Sequence, residues 1–177
     1  MASPEETIST ERAFEGRRVS VRVERVRLTD GTITTRDIVD HPNSVCIVAV
    51  DDDGNVLFVR QYRKAPEREL LELPAGVLNA GEEPLAAAQR ELQEETGYAA
   101  GTLRQLGYFF AAPGSMTECL YAFLATGLRE DALAPDDDER IQLERLPFDE
   151  ALRMAWAGDL HDAKTLACLL LAQPHMS

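Results

Sequence analysis

The chain has 177 residues, of which 45% are hydrophobic, and a formal net charge of −13 at pH 7. This length supports one main domain, because two independent cores of ordinary size need a longer chain. The acidic balance argues against a nucleic-acid partner, which would require clustered Lys and Arg. No apolar run is long enough to span a membrane, and the polar start MASPEETISTERAF lacks the apolar core of a signal peptide. We therefore expect a cytoplasmic protein without a nucleic-acid or membrane partner.

The three cysteines are expected to be structural. Cys46, Cys119 and Cys168 are odd in number, scattered, and set among apolar neighbours. This usage predicts reduced thiols in the core rather than a disulfide frame or a metal site.

The first part of the chain predicts an antiparallel ribbon. After a frayed start, residues 17–28 alternate apolar and polar side chains, Asp30-Gly31 is a strong turn signal, and residues 32–41 are rich in β-branched side chains. We expect residues 1–42 to form an N-terminal β-ribbon and residues 43–177 to form the main domain.

Two strands and one helix are predicted next. The apolar run 44–50 and the alternating run 56–63 flank the turn sequence DDDGN. Pro84 suits a helix start and Gly97 a helix end, so a helix is expected from about Pro84 to Thr96. Its predicted apolar stripe consists of Leu85, Ala88 and Leu92.

The remaining segments predict a mixed α/β protein. Residues 101–114 and 119–128 are typical of strands on either side of a Pro113-Gly114 loop, and the acidic segment 131–140 precedes a further strand at 141–147. Two helical segments, 148–160 and 164–173, close the chain.

The predicted helix carries a group of carboxylates. At about 100° per residue, Glu91 and Glu95 stand one above the other and Glu94 lies on the same side. Oxygen ligands of this kind are preferred by Mg²⁺ and Mn²⁺. The alternative for an isolated E-x-x-E-E is a solvated acidic face, but here the carboxylates lie in a longer pattern of fixed residues.

That pattern resembles the Nudix box, the signature of diphosphate-cleaving hydrolases. It comprises Gly76, Glu82, Arg90-Glu91-Leu92, Glu94-Glu95 and Gly97, followed by Tyr98. The resemblance implies a Nudix fold, an α/β/α sandwich with a mixed sheet. It also implies Mg²⁺, with Mn²⁺ as an option, held by Glu91, Glu95, the Ala75 carbonyl and Glu94 as a ligand or an orienting carboxylate. Arg90 would orient the carboxylates, Glu82 would brace the box by a salt bridge, and Gly76 and Gly97 would be structural.

The flanking residues resemble the ADP-ribose pyrophosphatase branch of this family. LELPAG at residues 71–76 and VRQYR at residues 59–63 precede the box, and Pro113 follows Gly97 by sixteen residues. The N-terminal ribbon resembles one that this branch exchanges between subunits, which implies a homodimer. The substrate-binding residues that the resemblance suggests are Arg60, Arg63, Glu72, Pro113 and Glu118. A guanidinium can bind two phosphate or ribose oxygens at once, and of the two arginines Arg63 is the preferred contact.

Two aspects stay open at this level. After Pro113 the sequence GSMTE departs from the branch's usual pattern, because Ser115 and Thr117 replace larger or charged groups while Glu118 keeps the acidic end. The preferred nucleoside diphosphate sugar is therefore undetermined. The general base of the branch lies on a late acidic loop, and alignment of the following strand suggests Glu139, whereas Asp136–Asp138 also fit a solvated turn. A nucleoside triphosphate pyrophosphohydrolase and a non-catalytic Nudix-fold ligand sensor are the alternative functions.

Overall fold

The computed structural model describes residues 4–134 and 140–176. The strands are β1 (Glu5–Glu15), β2 (Ser20–Leu28), β3 (Ile33–Asp40), β4 (Ser44–Ala49), β5 (Asn55–Arg63), β6 (Arg68–Glu72), β7 (Ala75–Val77), β8 (Tyr98–Phe110), β9 (Cys119–Glu130) and β10 (Gln142–Pro147). The helices are α1 (Pro84–Thr96), α2 (Phe148–Ala157) and α3 (Ala163–Ala172), and a short 3₁₀ turn follows at Gln173–His175. Contacts divide the chain into two compact units.

The first unit combines the chain up to Asn43 with Phe110–Cys119. Its sheet is antiparallel, in the order β1-β2-β3. The predicted turn between β2 and β3 is present, with Gly31 at φ 87° and its N–H donating to the Leu28 carbonyl at 3.0 Å. Backbone hydrogen bonds join Val39 of β3 to the 110–119 segment, where Ser115 accepts at 2.8 Å and Thr117 donates at 3.0 Å.

The expectation of a frayed start was wrong, because Glu5–Glu15 forms β1 and pairs along β2. Ten of the eleven residues of β1 are exposed, so hydrophobic alternation could not reveal it. Its pairing is reinforced by ion pairs from Arg27 to Glu6 at 2.7 Å and from Arg36 to Glu5 at 2.6 Å. Such cross-strand charge pairs stabilise a polar strand only once its neighbours are folded.

The second unit contains Ser44–Phe109 and the chain from Leu120. It has one three-stranded sheet, β10-β5-β6, and one four-stranded sheet, β7-β4-β9-β8. Strand β4 pairs parallel with β9 and antiparallel with β7, so the second sheet is mixed. The short strands β6 and β7 were not predicted, because residues 64–76 were interpreted only as the approach to the box.

Strand β4 is the centre of the core. Its whole length is buried, and alternate side chains belong to two separate hydrophobic clusters. Val45 and Ile47 pack with α1, whereas Cys46 and Val48 pack with α2 and α3. Since successive side chains of a strand point to opposite faces, the helices cover both sides. The predicted α/β/α sandwich with a mixed sheet is therefore confirmed.

Two details of the core bear on the sequence analysis. Cys46, Cys119 and Cys168 are buried free thiols, as expected. Leu85, by contrast, is 54% exposed, and the fully buried α1 residues are Ala87, Ala88 and Leu92. The helix therefore packs on the sheet through small alanine side chains and Leu92. Leu85, in the first helical turn, does not take part in this contact. Among the described residues, no helix is long and apolar enough to cross a membrane.

Candidate active site

Helix α1 begins at a proline, ends before a glycine and packs on the core through a buried apolar stripe. Pro84 occupies the first turn, and Gly97 adopts a left-handed conformation with φ 79° while its N–H donates to the Gln93 carbonyl at 3.1 Å. The buried Ala88 and Leu92 dock the helix beneath β4. This fixes which way the neighbouring carboxylates point.

Gly76 on β7 is in close contact with Glu91 on α1. A Cβ atom added at Gly76 would lie 2.0 Å from the Glu91 Cδ and 2.1 Å from its Oε1. No larger residue leaves room for this carboxylate against the strand. The glycine of the box is therefore required by the position of Glu91 rather than by a turn, since its φ is not positive.

Glu95 is the most deeply buried of the three carboxylates, at 7% exposure. Its Oε2 accepts a hydrogen bond from the Ala75 N–H at 2.9 Å. Ala75 in turn pairs with Cys46 on the central strand, and the Pro74 carbonyl accepts from the Ile47 N–H at 2.9 Å. The backbone at Ala75 is thus fixed both to the sheet and to the helix.

Arg90 is the centre of the box. Its Nε and Nη2 donate to the two Glu82 oxygens at 2.9 and 2.8 Å, and Nη2 also donates to the Val77 carbonyl at 3.1 Å. Its Nη1 donates to Glu91 Oε1 at 2.6 Å and to Glu94 Oε2 at 2.9 Å. One guanidinium thereby ties three acidic residues together and uses its fork geometry fully.

These contacts shift the titration of the Arg90–Glu82 pair. Hydrogen bonding from Arg90 lowers the pKa of Glu82 from 4.5 to about 2, and the Asn79 N–H, which donates to the same carboxylate at 2.8 Å, adds to the effect. The same bond to Glu82, together with Glu91 and Glu94, raises the pKa of Arg90. Both groups are charged over the whole neutral range.

The oxygen donors around α1 suit a hard divalent cation. Glu91, Glu94 and Glu95 on α1 offer only oxygen donors, the type that Mg²⁺ and Mn²⁺ prefer over softer ligands. In the part of the chain that the structure describes, no three His, Cys, Asp or Glu side chains are grouped so as to hold a metal ion. Arg90 is the counter-ion that Glu91 and Glu94 share in this arrangement.

A second charged network lies on β5 and β6. Arg63 Nε and Nη2 donate to the two oxygens of Glu72, each at 2.8 Å, and Glu72 is only 1% exposed. Lys164 on α3 also binds Glu72 and lies 2.9 Å from Asp162. Burial alone raises the pKa of Glu72, but the Arg63 hydrogen bond and the Lys164 charge outweigh it and leave the pKa lowered. Lys164 and Asp162 belong to no motif that is recognisable in the sequence.

Arg60 is not part of this network. It lies three residues before Arg63 on β5, so the two side chains project from opposite faces. Its guanidinium pairs with Glu144 on β10, with Nη2 at 3.3 Å from Oε2. The structure therefore separates the two arginines that the sequence grouped, and it joins Arg63 to Glu72.

The remaining predicted site residues lie outside the box. Pro113 and Glu118 belong to the first compact unit, where Glu118 lies 3.6 Å from His41. Glu139 lies outside the described residues. Asp131, at the start of the same acidic segment, contacts the end of α1: Gln93 Nε2 donates to the Asp131 carbonyl at 3.0 Å, and the Asp131 N–H donates to the Gly97 carbonyl at 3.0 Å.

Comparison with known proteins identifies the family of this chain. The NUDIX domain family model matches residues 40–167. The chain is 40% identical to an ADP-ribose pyrophosphatase of Bacillus subtilis (strain 168), over 91% of this chain and 88% of the relative. It is 39% identical to a methanol dehydrogenase activator of Bacillus methanolicus, over 96% and 92%. It is 32% identical to a GDP-mannose pyrophosphatase of Enterobacter sp. (strain 638), over 78% and 77%.

A solved structure described as an ADP compounds hydrolase has the same fold. It superimposes with a TM-score of 0.89 at 22% identity and covers 99% of this chain and 95% of its own. At that identity the likeness concerns the fold alone. Together with the family match, these findings establish that the chain belongs to the Nudix hydrolase superfamily, in the branch that includes the ADP-ribose pyrophosphatases.

Proposed function

We propose that this enzyme hydrolyses the diphosphate bond of ADP-ribose or a related nucleoside diphosphate sugar, giving a nucleoside monophosphate and a sugar phosphate, with Mg²⁺ as its cofactor. The observation that carries the proposal is the box itself. Arg90 gathers Glu82, Glu91 and Glu94, while Glu95 is fixed to the Ala75 backbone. Relatives named for ADP-ribose and GDP-mannose support the substrate class.

In this proposal the chain supplies the donors and keeps them in position. Glu91, Glu95 and the Ala75 carbonyl would hold the cation, with Glu94 as a further ligand or an orienting carboxylate. A Mg²⁺ held by these residues would polarise a phosphoryl oxygen and acidify the attacking water. Glu139 would accept the proton of that water, which requires only a modest pKa. Arg90 orients the carboxylates through the two bonds of its Nη1.

Arg63 is the proposed contact to the anionic substrate. Its side chain is 38% exposed although its Glu72 partner is buried, so the guanidinium is held firmly on one side and open to solvent on the other. A positioned guanidinium of this kind binds a phosphate or ribose through two hydrogen bonds at once. Pro113 and Glu118 are two further residues proposed to contact the substrate.

A homodimer and a cytoplasmic location belong to the same proposal. Strand β1 lies at the edge of its sheet and exposes Ile8 at 38% and Phe14 at 55%. An edge with apolar side chains is suited to burial against a second copy. The location rests on cysteine usage, since Cys46, Cys119 and Cys168 are all free thiols.

The test is a substrate panel. Purified protein with Mg²⁺ is incubated with ADP-ribose, other ADP-, GDP- and UDP-sugars, NADH and nucleoside triphosphates, and the products are identified. We expect the highest kcat/KM for a nucleoside diphosphate sugar, with a nucleoside monophosphate among the products. A preference for nucleoside triphosphates would contradict the proposed substrate class. If no compound is hydrolysed, the proposed function is wrong.

A further inference from the structure

The start of α3 is attached to the strand segment that leads into the box. Lys164 Nζ donates to Glu72 Oε2 and lies 2.9 Å from Asp162 Oδ1. The next residue, Thr165, accepts a hydrogen bond at its Oγ1 from the Leu73 N–H at 2.9 Å. Two consecutive residues of the helix therefore hold two consecutive residues of the chain that continues to Ala75.

The start of the helix that carries Lys164 is capped. Asp162 is its N-cap, and its Oδ2 accepts from the Thr165 N–H at 3.0 Å and from the Thr165 hydroxyl at 2.6 Å. Thr165 has no exposed surface. The cap fixes the backbone at the start of the helix, and the contacts to Glu72 and Asp162 hold the Lys164 ammonium group.

Lys164 pairs with a carboxylate that is almost fully buried. A carboxylate as enclosed as Glu72 requires charged or hydrogen-bonded partners. Arg63 and Lys164 share it, and with Asp162 the four groups are neutral as a set. Burial alone lowers the pKa of Lys164, but the charges of Asp162 and Glu72 outweigh that effect and raise it, so the side chain is cationic at neutral pH.

We propose that Lys164 is a positioning residue of the active site: by sharing Glu72 with Arg63, it leaves the Arg63 guanidinium able to bind the anionic diphosphate. This inference rests on the proposed function. Without Lys164, Arg63 would be the sole cation on a buried carboxylate, and the remaining three groups would carry one net negative charge. Both effects weaken the binding of an anion, and neither alters the box carboxylates.

The experiment compares variants of the full chain in Mg²⁺ with ADP-ribose. Lys164→Met removes the charge, and Lys164→Gln removes it but keeps a donor for Glu72; thermal unfolding of each variant identifies those that fold. We expect KM to rise about tenfold in both, equivalent to about 1.4 kcal/mol, with kcat within about twofold of the wild type. Lys164→Arg should restore KM. The control is Lys64→Met, because Lys64 forms an ion pair with Glu67 at the surface and is 82% exposed.

Three results overturn the inference: an unchanged KM in the neutral variants, a loss confined to kcat, or no recovery with Lys164→Arg. Failure of the proposed function is recognised separately, as absence of turnover in the wild type. Binding of α,β-methylene ADP-ribose in Mg²⁺, measured by calorimetry, then decides the question. Binding about tenfold weaker in Lys164→Gln than in the wild type supports positioning, whereas equal binding or none overturns it.

Discussion

The contact between Gly76 and Glu91 allows a sharp test of the box. In Gly76→Ala the new Cβ would lie 2.0 Å from the Glu91 Cδ, whereas ordinary van der Waals contact begins at 3.4 Å. The carboxylate must therefore withdraw by about 1.4 Å, the difference between these two distances. The backbone itself tolerates alanine, because the φ of Gly76 is not positive.

A displacement of this size should affect activity much more than stability. Misplacing a catalytic group by about 1 Å can cost roughly a hundredfold in rate, whereas Gly to Ala at a compatible backbone stabilises by about 0.4–1 kcal/mol through the unfolded chain. That gain offsets part of the strain at Glu91. We expect kcat/KM for ADP-ribose to fall about a hundredfold and the Mg²⁺ concentration required for half-maximal activity to rise.

The assay is steady-state hydrolysis across a Mg²⁺ titration, with thermal unfolding followed in parallel. Gly107→Ala is the matched control, because its added Cβ would meet only Leu171 at 3.9 Å, an ordinary contact. Wild-type kcat/KM in a folded Gly76→Ala protein would refute the reasoning, since it would mean that Glu91 need not occupy its place against β7.

Three further predictions concern the ligand set, acid stability and assembly. Glu95→Gln should abolish hydrolysis while preserving the fold, because the amide oxygen can still accept from the Ala75 N–H; ordinary turnover would mean that the metal is held elsewhere. The pKa of Glu82 is about 2 in the folded protein against 4.5 ordinarily, so its stabilisation is complete above pH 4.5 and is lost as the pH falls towards 2. The free energy of unfolding in urea should therefore fall between pH 6 and 2.5, and it should fall less in Glu82→Gln. An equal pH dependence in the two proteins would contradict this prediction. Phe14→Glu should shift the proposed dimer towards monomer in light scattering. The control Trp156→Glu, at a 72% exposed site in the other unit, should leave it unchanged. A dimer in both variants would exclude the β1 edge as the dimer interface.

Local signals were sufficient for the helix of the box. Pro84 and Gly97 bound α1 at the predicted residues, because a proline in the first turn and a left-handed glycine after the last are encoded within the segment itself. The same holds for the Asp30-Gly31 turn. The spacing of Glu91, Glu94 and Glu95 then follows from helix geometry alone.

Features that depend on distant residues were missed. Strand β1 has almost no buried side chain, and it forms because β2 and its charged partners lie beside it. Lys164 belongs to no motif, and its partner Glu72 is 92 residues away, so only the folded chain reveals the pair. Arg60 and Arg63 were both predicted to bind substrate, but strand alternation directs them to different carboxylates. The role of Glu139 stays a prediction.

The measurement that tests the central claim most directly is hydrolysis of ADP-ribose in ¹⁸O-labelled water, with and without Mg²⁺. The proposed function predicts AMP and ribose 5-phosphate in equal amounts, one ¹⁸O atom per turnover on a phosphoryl group of one product, and no products when Mg²⁺ is chelated. Turnover that persists in chelator, or ¹⁸O at a sugar carbon instead of phosphorus, would contradict a metal-assisted attack of water on the diphosphate.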